Sequence, residues 1–344
     1  MVYSISSSMT QPAFGYMVDK TRSYWWILIS LPGSALFIAL SALAPDKIYV
    51  FVCVGLAGLA SALFHPIASG LIGRVIPAEK RGLAMSLFIG GGNFGFAISP
   101  AIVIYILTVS SPIQLVWLII PGFVVSLIYY ILNVHKIDSS TDHSNSEAAH
   151  TNRETVIPVI QDWKPILNLN LIMGLRSWMQ FAILTLLPIW MIQRGVSPII
   201  SGSLLTLFLA CGATGSLLGG WFGDRLGHKP LVIGVLITCL PMLYVFISGT
   251  EINALTWISL AYCGFALQGT MPSSVVWAQE IMPGKAAMAS GMMLGLSSGL
   301  GGLGTALTAA LADIIGLQSA LLWSLIPYGL AIPIAFLIPA YKKI

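Results

Sequence analysis

The chain has 344 residues, 57% of them hydrophobic and only 8% charged, with a formal net charge of +4 and a mean hydropathy of +0.89. That composition excludes an ordinary globular surface, and so small a charge excess gives no reason to expect a nucleic-acid partner. A helix needs about 20 apolar residues to cross a hydrocarbon core, and the apolar runs here are long and continuous, unlike the alternating segments of about ten residues in a barrel. The expected fold class is therefore an all-α polytopic membrane protein.

Charged or Pro/Gly-rich breaks predict eleven spans in chain order: 1–18, 24–44, 48–76, 81–109, 113–134, 164–191, 198–222, 229–249, 252–282, 285–312 and 317–341. The opening has no basic flank of the kind that precedes a cleavable signal. The long polar break at 135–163 carries most of the acids and three of the five histidines, His135, His143 and His150. Their spacing matches no usual metal site, and the segment reads as a flexible linker. It divides the chain into an N-terminal half, 1–134, a central loop, 135–163, and a C-terminal half, 164–344.

Alternate loops differ sharply in charge. One side receives Lys20, Arg22, Arg74, Lys80, Arg81, Lys136, Arg153, Lys164, Arg225, Lys229, Lys285, Lys342 and Lys343, and the other only Lys47 and Arg194, thirteen against two. The positive-inside rule makes the first side cytoplasmic, with the central loop and the C-terminus. The lipid partner is then expected to be the cell inner (cytoplasmic) membrane, with Met1 on the outside.

The stretch Gly220-Trp221-Phe222-Gly223-Asp224-Arg225-Leu226-Gly227-His228-Lys229 is a charged turn between apolar runs, and Gly15 through Arg22 is a weaker copy of it. Asp19 and Asp224 are separated by 205 residues, as are Ala84 and Ala289 and Gly90 and Gly295, while Pro66 and Pro272, like Pro77 and Pro283, are separated by 206. This is a parallel internal repeat of five spans followed by six. The register predicts that the first half lacks its first helix, a deficit of roughly forty residues at about 20 per span plus connections.

Two six-helix halves, each with a G-x-x-x-D-[RK]-x-G-x-[RK] turn after its second helix, resemble the major facilitator superfamily. The second copy matches at Gly220, Asp224, Arg225, Gly227 and Lys229; the first keeps Gly15, Asp19, Lys20 and Arg22 but lacks the second glycine. Within that superfamily the chain is similar to the fosmidomycin resistance branch of drug exporters. The segments that carry this are Gln11-Pro12, Leu63-Phe64-His65-Pro66, Gly82 through Gly95, and Ala278 through Gly304, with Ile67 in place of an acid. The resemblance implies a monomeric, proton-coupled exporter of a small drug-like or anionic compound, working as an antiporter and conferring antibiotic resistance. The alternatives are an importer of a small metabolite and a truncated protein without transport. It implies no enzymatic activity, cofactor or metal, and it implies that the charged turns latch a cytoplasmic gate; the turns could also serve only topology and solvation.

Arg176 lies ten or more residues into its span, about 15 Å deep at 1.5 Å per residue. A cation there costs at least about 2.5–3.5 kcal/mol on insertion scales and usually lines a cavity. It is a candidate for binding an anionic substrate, or else a structural cation bonded to helix-end carbonyls or to a residue of the missing helix. His65 is a candidate for substrate contact and proton coupling, or a packing histidine. Asn93, Gln11 and Gln268 are candidate cavity groups or interhelical hydrogen bonds, with Gln279 and Glu280 polar groups at the cytoplasmic end. Cys53, Cys211, Cys239 and Cys263 lie inside apolar runs and read as packing residues. The glycine runs at 90–95 and 299–304 lack the Lys-Ser/Thr of a phosphate loop and read as surfaces of close helix approach.

Overall fold

The computed structural model describes residues 2–136 and 163–339. The central loop with His143, His150 and Arg153, and the terminal Lys342 and Lys343, lie outside the described residues. All regular structure among the described residues is helical. The helices are α1 (Val2–Thr21), α2 (Trp26–Ser41), α3 (Lys47–Val75), α4 (Arg81–Val109) and α5 (Ile119–Ile131), the last entered through a 3₁₀ turn, Pro112–Leu118. After the central loop come α6 (Lys164–Gln193), α7 (Pro198–Leu226), α8 (His228–Ser248), α9 (Ala254–Ile281), α10 (Ala286–Gly291), α11 (Ser297–Ile315), α12 (Leu317–Trp323) and α13 (Leu325–Leu337). A π-helical turn, Met292–Leu296, joins α10 to α11, so that Ala286–Ile315 forms one rod of 30 residues.

Each of the eleven predicted ranges holds helix. Seven helical stretches are long and apolar enough to cross a membrane: Lys47–Val75, Ile113–Ile131, Lys164–Gln193, Pro198–Leu226, His228–Ser248, Ala286–Ile315 and Leu317–Leu337. Two of the remaining long helices are more polar. Val2–Thr21 carries serines, Thr10, Gln11 and Asp19, while Ala254–Ile281 buries Thr256, Ser259, Thr270, Ser273, Ser274 and Gln279 among its neighbours.

The boundaries have local causes. Ser197 caps α7 by accepting from the Ile200 N–H at 3.4 Å, with Pro198 at the first helical position, where its missing N–H costs nothing. The break between α7 and α8 turns at Gly227, with φ +91°, and that between α11 and α12 at Gly316, with φ +84°, a region where glycine has no side chain to strain.

The chain forms two compact units. One comprises Met1–Arg74, Gly95–Gln161 and Met282–Gly295, and the other Val75–Phe94, Asp162–Ile281 and Leu296–Ile344. In the first, α1 packs on α10 and α2 on α5; in the second, α7 packs along α9 and α6 along α11. Backbones touch in the α7–α9 pair: a Cβ on Gly215 would stand 1.9 Å from the Phe265 carbonyl oxygen, and one on Gly219 1.9 Å from that of Gly269. Small residues thus permit the close approach that drives helix association in lipid. Of the two glycine runs, Gly90, Gly301 and Gly304 face neighbours in this way, whereas Gly91, Gly92 and Gly302 face open space.

Candidate functional site

The first four backbone N–H groups of a helix have no partner within it, and the helix dipole makes that end electropositive. Two such ends receive carboxylates from distant parts of the chain. At the end of α1, the Asp19 carboxylate accepts from the N–H of Ala287 at 3.2 Å and of Met288 at 2.8 Å. At the end of α7, the Asp224 carboxylate accepts from the N–H of Gly82 and of Leu83, both at 2.9 Å. Each aspartate therefore caps the second and third residues of a helix, those opened by Ala286 and Arg81. Gly82 and Ala287 are separated by the same 205 residues as Asp19 and Asp224, and so are Leu83 and Met288. The two caps are copies of one contact.

The glycine four residues before each aspartate lies one turn earlier on the same helix face. A Cβ on Gly220 would fall 1.8 Å from the Gly82 carbonyl oxygen, and one on Gly15 2.5 Å from that of Ala287. The G-x-x-x-D spacing is thus a seat and a cap for one helix end. Ser86 extends the second copy by accepting from the Gly220 N–H at 2.8 Å.

The copies differ in their counter-charges. Asp19 pairs with Arg74 at 3.2 Å, and the Arg74 guanidinium lies 5.7 Å from the centre of the buried Tyr24 ring. Asp224 has His228 at 3.7 Å, the imidazole itself buried. Burial pushes the Asp19 carboxyl above its ordinary range, against the two amides and Arg74, which pull it down. Of the other motif residues, Arg225 stacks over Trp221 at 3.9 Å, the Lys229 ammonium donates to the Ile338 carbonyl, and Lys20 is exposed. Arg22 stands where the repeat register puts Gly227 and adopts φ +49°, so the first turn keeps the left-handed bend without the glycine.

Arg176 is the thirteenth residue of α6 and is 1% exposed. Its guanidinium donates to the Leu267 carbonyl of α9 and, at 3.4 Å, to the Ser177 hydroxyl, while Nε–H has no acceptor. No carboxylate among the described residues pairs with it. One turn on, Gln180 donates to the Gln268 side chain, which brings Gln268 to Arg176; Gln180 Oε1 is buried and unpartnered. Tyr328 on α13 is buried, an electrostatic neighbour of the guanidinium and of the Cys239 and Cys263 thiols, and its hydroxyl has no aligned hydrogen bond. Cys263 adjoins Cys239, both buried.

The remaining candidates are dispersed. Asn93 donates to the Ser216 hydroxyl at 3.4 Å. Gln11, buried, lies under Gly291 and Gly295 in the other compact unit, where His65 packs edge-on to Phe64. Gln279 is buried near the end of α9 and Glu280 half-buried beside it. Sequence reasoning singled out neither Arg74 nor Gln180 nor Tyr328. Helical spacing from Arg176 marks Gln180, whereas nothing local marks Tyr328.

The family model of the Major Facilitator Superfamily matches residues 1–305. The chain belongs to the Major Facilitator Superfamily. This family of membrane transporters accounts for the all-helical, multi-pass architecture. Among its relatives, the uncharacterized MFS-type transporter YfnC of Bacillus subtilis is 30% identical over 98% of this chain and 82% of its own length. The fosmidomycin resistance protein of Escherichia coli is 27% identical over 91% of this chain and 76% of its own length. The fold is shared with solved transporters of low identity. The human organic anion transporter MFSD10 superposes with a TM-score of 0.75 at 14% identity, covering 97% of this chain and 82% of that one. The Escherichia coli fucose:proton symporter superposes with a TM-score of 0.71 at 13% identity, covering 98% and 89%.

Proposed function

We propose that this transporter is a proton-coupled exporter of a small drug-like or anionic compound. It works by alternating access between the halves 1–134 and 164–344, as a monomer in the inner membrane with the central loop and C-terminus in the cytoplasm. The observation that carries the gating part is the pair of copied carboxylate caps, each joining residues of one half to a helix end of the other. Charges that served only topology would remain solvated, yet the Asp19 and Asp224 side chains are 4% and 6% exposed. The thirteen-to-two charge asymmetry supports a cytoplasmic position for both turns, and the gate they latch is the cytoplasmic one. Export is supported by the relative named for fosmidomycin resistance, an anionic substrate by the unneutralised Arg176, and proton uptake by His65 within α3.

The test is the susceptibility of a pump-deficient bacterial host to anionic and cationic antibiotics, with the wild type, Asp224→Asn and Arg176→Gln compared at equal membrane abundance. The proposal expects the wild type to raise tolerance of anionic compounds selectively, and both substitutions to remove that gain. Equal tolerance with and without the wild-type protein, or protection against cations alone, would refute it.

A further inference from the structure

We infer that Cys239 and Cys263 form a two-thiol site for one monovalent soft metal ion, Cu(I) or Ag(I), held between α8 and α9. The two residues come from neighbouring helices, each is 0% exposed, and their thiols are hydrogen-bonding neighbours. Each stands roughly 15 Å from the start of its helix at 1.5 Å per residue, so the pair lies well inside the helices and away from their ends. The groups around the pair call for negative charge. The Tyr328 hydroxyl, buried beside both sulfurs, has no aligned hydrogen bond. The Arg176 guanidinium is an electrostatic neighbour of Cys239, and its Nε–H has no acceptor. Buried donors are almost always satisfied, and a buried cation needs a counter-charge. Tyr262 also neighbours both cysteines, but its hydroxyl is already donated to Thr238.

A neutral thiol supplies no such charge, whereas a thiol bound to a metal is deprotonated outright. One Ag(I) ion replaces both thiol protons: two S–H bonds break, two Ag–S bonds form, and the protons pass to water. The bis-thiolate complex carries one negative charge and the guanidinium one positive charge, so the pair is neutral in a low-dielectric interior. The Tyr328 O–H then has a sulfur anion to which it can donate. The donor set also selects the ion. Thiolates are soft ligands that favour Cu(I) and its congener Ag(I) over Mg(II) and Ca(II), and two of them suit the linear coordination of a monovalent ion, whereas Zn(II) takes four ligands. No group of three His, Cys, Asp or Glu that could hold a metal occurs among the described residues, so the pair stands as a two-ligand site.

The test is calorimetric titration of the purified full chain in detergent with silver nitrate, in chloride-free buffer under nitrogen with the thiols reduced. Cys53→Ala and Cys211→Ala remove the other two cysteines from the background. The expected result is one tightly bound ion per chain and release of both thiol protons, counted from the heats in two buffers of different ionisation enthalpy. Cys239→Ser and Cys263→Ser should each weaken Ag(I) at least about 100-fold. The counter-charge has its own readout, because the divalent mercuric ion forms a neutral bis-thiolate. Arg176→Gln should therefore weaken Ag(I) by about 10- to 100-fold, the range for loss of a supporting neighbour, while leaving the affinity for mercuric nitrate unchanged. Unchanged mercury binding also reports that the variant is folded. Should Arg176→Gln fail to fold, Tyr328→Phe removes only the hydroxyl and should weaken Ag(I) about tenfold. Absence of stoichiometric Ag(I) binding, wild-type affinity in either serine variant, or equal weakening of both ions by Arg176→Gln would overturn the site. Neither thiol enters the transport reading above, so failure here leaves that reading standing.

Discussion

Asp224→Ala removes both acceptors at the start of α4 and the negative charge at its electropositive end. Loss of a capping side chain costs about 0.5–2 kcal/mol and loss of a charge at a partly buried helix end up to about 2. Because these terms overlap, about 2–3 kcal/mol is a reasonable total, and at 1.4 kcal/mol per factor of ten it shifts the latched-to-open equilibrium roughly 30- to 150-fold. Asp224→Asn keeps one oxygen acceptor but loses the other together with the charge, so about 1.5–2 kcal/mol, or roughly 10- to 30-fold, is expected. Amide hydrogen exchange read by mass spectrometry on peptides covering Gly82–Leu83 and Ala287–Met288 measures both ends separately. If the caps are two parts of one gate, weakening Asp224 speeds exchange at Ala287 and Met288 as well, by a similar factor, although Asp19 is untouched. Were exchange to rise only at Gly82 and Leu83, the caps would be local helix ends, and the gating argument would fall.

The glycine seats give a graded series. Gly220→Ala and Gly15→Ala push a methyl into the Gly82 and Ala287 carbonyls, and each should cost at least about 1–3 kcal/mol in thermal stability and loosen the neighbouring cap. Gly91→Ala, which meets nothing within 4 Å, should be neutral or stabilising by up to about 1 kcal/mol. Arg22→Gly should raise the thermal midpoint, since a non-glycine residue in the left-handed region costs about 1–2 kcal/mol; a lowered midpoint would mean that the Arg22 side chain contributes more than its backbone costs. The buried Asp19 carboxyl titrates above its ordinary value, so the capped arrangement favours the protonated acid. Protection of Ala287 and Met288 should therefore increase as pH falls through that raised value and level off below the ordinary one. Asp19→Asn should flatten the profile, and an unchanged profile in that variant would assign the titration elsewhere.

Much of this architecture was legible because membranes impose simple rules. Length and apolarity marked the helical ranges. The offset between Asp19 and Asp224 gave the repeat its register. The targets of the two carboxylates were not legible: Gly82 is 142 residues from Asp224 and Ala287 is 268 from Asp19, and no local pattern announces a cap supplied from so far. Arg176 stood out as a charge in an apolar run, but its neighbours Gln268 and Tyr328 come from helices whose packing only tertiary structure reveals. The matching of Arg22 to a motif cation had a simple reason to mislead. Sequence type suggested a basic residue, whereas the register and its φ of +49° put it at the glycine position, with Tyr24 opposite Lys229.

That register also accounts for the unequal partners of the two caps. Arg74, which pairs with Asp19, has Gln279 as its counterpart 205 residues on, so the second copy has no cation there; His228, beside Asp224, has Ser23 as its counterpart in the first. A guanidinium keeps its charge throughout the physiological range, while an imidazole is charged only when protonated. The fixed cation therefore belongs to the cap that has lost its turn glycine, and the titratable group to the cap with the intact motif. If duplication made the two contacts equal, later substitution divided them into one with a guanidinium beside its carboxylate and one with an imidazole, so the two copies of one cap no longer share their side-chain neighbours.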